Sequence, residues 1–160
     1  MAGIFDVEPV AGRYVWLEVQ GESYRTYFES AGSGDVSLVL LHTAGADARQ
    51  YRHLLNDPYV LDRFTVYAFD MPWHGKSFPP LDSEWWTADY ELTTDFYTSL
   101  VMQFIDALGL DRPAVLGCSM GAPSSWNSRT PMPSPFAPSW ASNRPPSPPH
   151  ATSAIWTTRP

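Results

Sequence analysis

The residues best equipped for chemistry are Gly117-Cys118-Ser119-Met120-Gly121. A serine in a G-x-S-x-G frame, directly after the apolar run at 113–116, suits a sharp strand-to-helix turn with its hydroxyl exposed. The glycines answer the crowding of such a turn, because they lack the Cβ that would clash. A serine hydroxyl attacks only when a base accepts its proton. It also needs N–H donors aimed at the oxyanion that develops. Two further stretches place polar residues after apolar runs: Leu41-His42-Thr43-Ala44-Gly45, and Asp70-Met71-Pro72-Trp73-His74-Gly75-Lys76-Ser77.

The elements that must position these residues are legible from composition. Residues 14–19 are aromatic and β-branched and read as a strand. Gly21-Glu22-Ser23 is turn chemistry, and 24–29 alternates, so the first thirty residues read as an antiparallel hairpin. Residues 36–41 and 64–69 are short apolar runs of the kind buried on both faces of a parallel sheet. Residues 48–55 are expected to form a short helix carrying an exposed His53. Leu92, Phe96, Leu100, Phe104 and Leu108 recur at i+4, a helical stripe, and Gly109 is its stop. The order β-β-β-α-β-α-β predicts an α/β sheet with right-handed crossovers. His42, Asp70 and Ser119 then follow three successive buried strands, at the carboxyl ends where α/β sheets hold their sites.

With these three motifs in this order, the chain resembles the α/β-hydrolase fold family over about residues 10–121. The first motif is similar to the His-Gly loop after that family's third strand. The second is similar to its D-x-P-G-H-G-x-S loop, and the third to its nucleophile elbow. The resemblance implies an incomplete α/β-hydrolase sheet, a hairpin followed by βαβαβ that ends at the elbow. It implies Ser119 as nucleophile and the backbone N–H groups of Met120 and Ala44 as oxyanion donors. It makes His42, Asp70 and His74 loop-structuring residues near the site. Thr43 and Trp73 stand where the family has glycine; each keeps its N–H. Trp73, with Trp85 and Trp86, is a candidate wall for an apolar or aromatic acyl group. Serine at the elbow speaks against a dehalogenase, which uses aspartate there. The implied reaction is hydrolysis of an ester, thioester or related acyl bond in a small molecule. Cofactor-free haloperoxidases and carbon–carbon bond hydrolases share the serine.

Composition divides the chain at about residue 121. All 17 acidic residues precede that point, and residues 122–160 hold no lysine and most of the 16 prolines. The first part is read as a partial α/β-hydrolase domain (1–121). The second is read as an irregular Pro/Ser-rich tail (122–160), since such a composition buries too little apolar surface to order itself. The family's triad runs Ser, Asp or Glu, then His along the chain. After Ser119 there is no acid, and the sole later histidine is His150 in a proline-rich run. Little or no turnover is expected. The tail also reads as a frameshift of a hydrolase gene: one choice of codons for residues 123–128, read from the third base, gives Ile-Val-Leu-Glu-Leu.

The net charge of −7 argues against nucleic acid, since the sequence holds no basic stripe to neutralise phosphates. The lone Cys118 allows no internal disulfide and suits a reducing compartment. It is expected to pack inside. The N-terminus lacks a signal-peptide pattern, and no apolar run is long enough to span a bilayer, so a cytoplasmic protein without membrane contact is expected. No cofactor or metal is expected: no Cys/His cluster has zinc spacing, and Gly32-Ser33-Gly34 lacks a phosphate-loop lysine. Self-association through uncovered sheet edges is expected. Two other readings stand beside the hydrolase. One is an interaction protein using Arg144-Pro145-Pro146-Ser147-Pro148-Pro149 as a polyproline II ligand. The other is a pseudoenzyme that binds a small acyl ligand.

Overall fold

A computed structural model describes residues 7–80, 83–87, 89–121 and 153–156. One mixed sheet runs through them in the order β1-β2-β4-β3-β5-β6. Strands β1 (Ala11–Val19) and β2 (Glu22–Ala31) form the hairpin. Its turn is Gln20-Gly21, both at positive φ (53° and 84°), while Glu22 and Ser23 belong to the strand. A two-residue turn with both residues left-handed matches the twist of the strands it joins, which moves the turn one residue earlier than composition suggests. Strands β3 (Val36–Leu41), β4 (Phe64–Phe69) and β5 (Ala114–Cys118) form the parallel centre.

The expected helix over 48–55 is instead two 3₁₀ turns, Ala48–Tyr51 and Leu54–Asn56, followed by a helix α1 at Pro58–Arg63. The Asp57-Pro58 pair explains the break. Proline forces its predecessor toward extended backbone, and Asp57 sits at φ −83°, ψ 114°. Its carboxylate then caps α1 by accepting from the amides of Tyr59 and Val60. Helix α2 (Thr94–Ala107) starts at the Thr93 hydroxyl, which accepts from the Phe96 amide. It ends with Gly109 at φ 62°, where Gly109 N–H donates to Asp106 and Leu110 N–H to Ile105, a Schellman cap.

The period of two in the central strands sorts their side chains onto two cores. Val39, Leu41, Phe69 and Val115 pack with Phe96, Leu100 and Phe104 of α2 on one face. Leu38, Leu40, Val66 and Ala68 pack with Tyr51 and Leu55 on the other. Two layers therefore clamp the three strands whose ends matter.

The Pro/Ser-rich tail lies outside the described residues except for Ser153–Trp156, which forms β6 and pairs antiparallel with β5 from Val115 to Cys118. The expectation of an irregular tail thus meets four residues of strand.

Candidate active site

Because β3, β4 and β5 are parallel, the residues that follow them emerge at one end of the sheet. His42 and Asp70 are buried there, and Ser119 is exposed. Ser119 sits at φ 53°, a left-handed conformation that L-residues avoid. The turn has no room to relax on its far side. A Cβ added at Gly121 would lie 2.2 Å from the Leu41 carbonyl oxygen. The elbow is thus pressed directly against the end of β3.

The two loops beside Ser119 are tied together by buried polar groups. Asp70 Oδ1 accepts from the Ala48 amide at 2.7 Å, and Oδ2 accepts from the Lys76 amide at 2.7 Å. One carboxylate thus joins the loop after β3 to the loop after β4. Gly75 makes room for it, since a Cβ there would meet Asp70 Oδ2 at 2.1 Å. The Ser77 hydroxyl donates to the Asp70 carbonyl and accepts from the Tyr27 amide, which fastens the loop to β2.

His42 has both ring nitrogens in use. Its Nε2 accepts from the Met71 amide at 2.9 Å. Its Nδ1 lies 2.8 Å from the Thr43 carbonyl, which can only accept, so Nδ1 carries the proton. Burial holds this imidazole below its ordinary pKa, against the opposing pull of the Thr43 carbonyl. His74 likewise donates from Nδ1 to the Pro72 carbonyl at 2.9 Å, and its ring lies 5.0 Å from that of His42. Among the described residues no hydrogen bond joins Ser119 to a histidine or a carboxylate.

Ala44 is exposed, in a turn closed by the Ala46 amide donating to the Thr43 carbonyl. The Thr43 amide itself donates to Gln50 Oε1 at 3.0 Å. Met120 is half-buried against the core that holds α2. Cys118 is half-buried rather than inside. Composition carried no signal for Gln50 or Tyr51, whose hydroxyl donates to the Leu41 carbonyl at 2.8 Å. Burial pushes the Tyr51 phenol up to about 12. Each bonds a backbone group on the loop or strand beside the elbow, and a backbone partner leaves no trace in a residue pattern.

Trp73 sits at φ 64°, in the position where the loop pattern has glycine. Its indole packs against Tyr24 (6.0 Å) and Tyr90 (5.1 Å). With Trp85 and Trp86 it lines one cavity of about 680 Å³. Asp47, Arg49 and Lys76 lie on a separate, smaller cavity. Among the described residues no group of three or more His, Cys, Asp or Glu is placed to hold a metal ion. No helix among them is long and apolar enough to cross a membrane.

This arrangement has many counterparts among known proteins. A 2-hydroxy-6-oxononadienedioate/2-hydroxy-6-oxononatrienedioate hydrolase of Escherichia coli (strain K12) is 29% identical over 120 residues, 74% of this chain and 39% of that protein. The chain therefore spans well under half the length of that relative. An epoxide hydrolase of Vigna radiata superposes with a TM-score of 0.57 at 22% identity, covering 74% of this chain and 35% of its own. A haloalkane dehalogenase from Agrobacterium tumefaciens C58 superposes with a TM-score of 0.52 at 21% identity, covering 70% and 34%. A family model described as the alpha/beta hydrolase fold matches residues 36–127, from the first buried parallel strand through the elbow. The parallel strands, the loops at their ends and the strained serine turn all fall within that match, and the chain belongs to the α/β-hydrolase fold family.

Proposed function

We propose that this chain carries the nucleophile half of a serine hydrolase and does not turn over substrate by itself. The observation that carries the reading is Ser119, exposed and held at φ 53° on a turn braced by Gly121 against Leu41. Strain at such a position persists only where the surroundings over-determine it, and it gathers at reactive sites. In the reaction, Ser119 Oγ attacks the carbonyl carbon of an ester or thioester. The carbonyl π-pair moves onto oxygen, where the Met120 and Ala44 N–H groups hold it. Collapse expels the alcohol or thiol and leaves an acyl-serine, which water hydrolyses.

Both proton transfers need a base. His42 does not supply it: one nitrogen already accepts from Met71, and the other carries a proton directed at Thr43. No acid follows Ser119 in the chain. Loss of triad members from a hydrolase leaves only a small residual rate.

A fluorophosphonate probe tests both halves, because phosphorus accepts the serine oxygen and releases fluoride without a later hydrolytic step. Slow stoichiometric labelling at Ser119 is expected, absent in Ser119→Ala, with no steady release from a nitrophenyl ester. Labelling that survives Ser119→Ala overturns the assignment of the nucleophile. Steady ester turnover that Ser119→Ala removes overturns the inactivity.

A further inference from the structure

The cavity beside Trp73 has a composition that selects a class of ligand. Its aromatic wall is Trp73, Trp85, Trp86 and Tyr90. Trp85 and Trp86 meet edge-to-face at 82°, and Trp73 and Tyr90 at 62°. Trp86 is 66% exposed, and Trp85 and Tyr90 are nearly half exposed. Three large aromatic side chains are thus open to solvent around one concavity.

The polar lining is one-signed. Glu22, Glu84, Asp89 and Glu91 line the cavity, and among the described residues no lysine, arginine or histidine does. Cationic residues elsewhere take aromatic partners of their own: Arg25 lies over Tyr14, Arg63 over Tyr59 and Lys76 over Tyr27. Among the described residues no lysine or arginine lies over the rings of this cavity; His74 packs at 6.1 Å from Tyr90, and four carboxylate-bearing residues share the lining. A π-face attracts a cation electrostatically, and the attraction grows as the cation sheds water. An organic cation is weakly hydrated and large enough to touch several rings at once. An anion would meet four like charges.

We infer that this cavity binds a small organic cation of the quaternary or tertiary ammonium class, with the indoles contacting its methyl groups and the carboxylates balancing its charge. The volume of about 680 Å³ admits such a group together with an attached chain. The site stands apart from the reactivity of Ser119 and holds whether or not that residue is a nucleophile.

Titration of the full chain with choline, followed by tryptophan fluorescence and calorimetry, tests it. The comparison ligand is the uncharged isostere in which carbon replaces nitrogen, and sodium chloride at matched ionic strength is the blank. Choline is expected to bind saturably and at least about tenfold more tightly than the isostere. Trp86→Ala and the pair Glu84→Gln with Glu91→Gln each weaken choline severalfold. These positions are exposed, so circular dichroism is expected to match the parent chain. Ser119→Ala, which removes labelling, binds choline as the parent does, so failure of one reading leaves the other standing. Equal affinity for choline and its isostere, or no saturable binding of choline, overturns the inference. So does unchanged affinity in both the tryptophan and the carboxylate variants.

Discussion

At the scale of single residues, Trp73 sets packing against backbone sterics. The loop requires φ 64° at this position, and the indole fills space between Tyr24 and Tyr90. A left-handed conformation costs an L-residue about 1–2 kcal/mol, and glycine escapes that cost. Glycine loses some of this gain through the larger entropy of its unfolded chain. Trp73→Ala discards the ring contacts and keeps the strain. Trp73→Gly discards both. The glycine variant is therefore expected to be the more stable of the two by about 1 kcal/mol, an inversion of the usual preference for alanine. Urea unfolding of both variants measures the difference, and an alanine variant of equal or greater stability refutes the strain. The positive φ at Ser119 could be anticipated from the pentapeptide, because its flanking glycines mark crowding. The tautomer of His42 and the bridging carboxylate of Asp70 could not, because their partners are the backbone groups of Met71, Thr43, Ala48 and Lys76.

At the scale of elements, the junction of β5 with the end of β3 controls the elbow. Gly121 has no space for a methyl group, since the nearest atom to an added Cβ is the Leu41 carbonyl oxygen at 2.2 Å. That oxygen is main chain at the edge of a buried strand, so it cannot swing aside as a side-chain tip would. Gly121→Ala is expected to cost about 1–3 kcal/mol as an overpacking change. It also displaces Ser119, so fluorophosphonate labelling should slow by more than the loss of folded chain explains. Thermal unfolding read beside labelling rate separates the two, and an unchanged rate in folded variant contradicts the coupling. The strands here were legible because burial on both faces writes a continuous apolar run: β4 at Phe64–Phe69 coincides with its run. Helix α2 was legible because its stripe is long. The 42–63 connection was less so. Its short turns rest on Asp47 and Asp57 accepting from nearby amides, and a six-residue helix shows almost no periodicity.

At the scale of the whole molecule, the sheet is bounded by β1 on one side and β6 on the other. β1 is an edge in its own right, with Tyr14 and Trp16 exposed along it. The outer edge of β5 is covered from Val115 to Cys118 by β6, four residues drawn from the far end of the chain. An uncovered edge next to a buried apolar strand is a template for pairing with another chain. A chain ending at Gly121 would keep β1 and lose β6 together with the rest of residues 122–160. Charge acts in the opposite direction. The removed residues include three arginines and no acid, so the shorter chain is more negative than the parent at −7 and repels itself more strongly. Stronger self-association of the shorter chain is nevertheless expected, read by sedimentation velocity at matched concentration and salt. Because electrostatics would produce the reverse, an increase is not a charge effect and is the outcome expected of a newly exposed β5 edge. Equal or weaker association in the shorter chain would show that β6 does not protect β5.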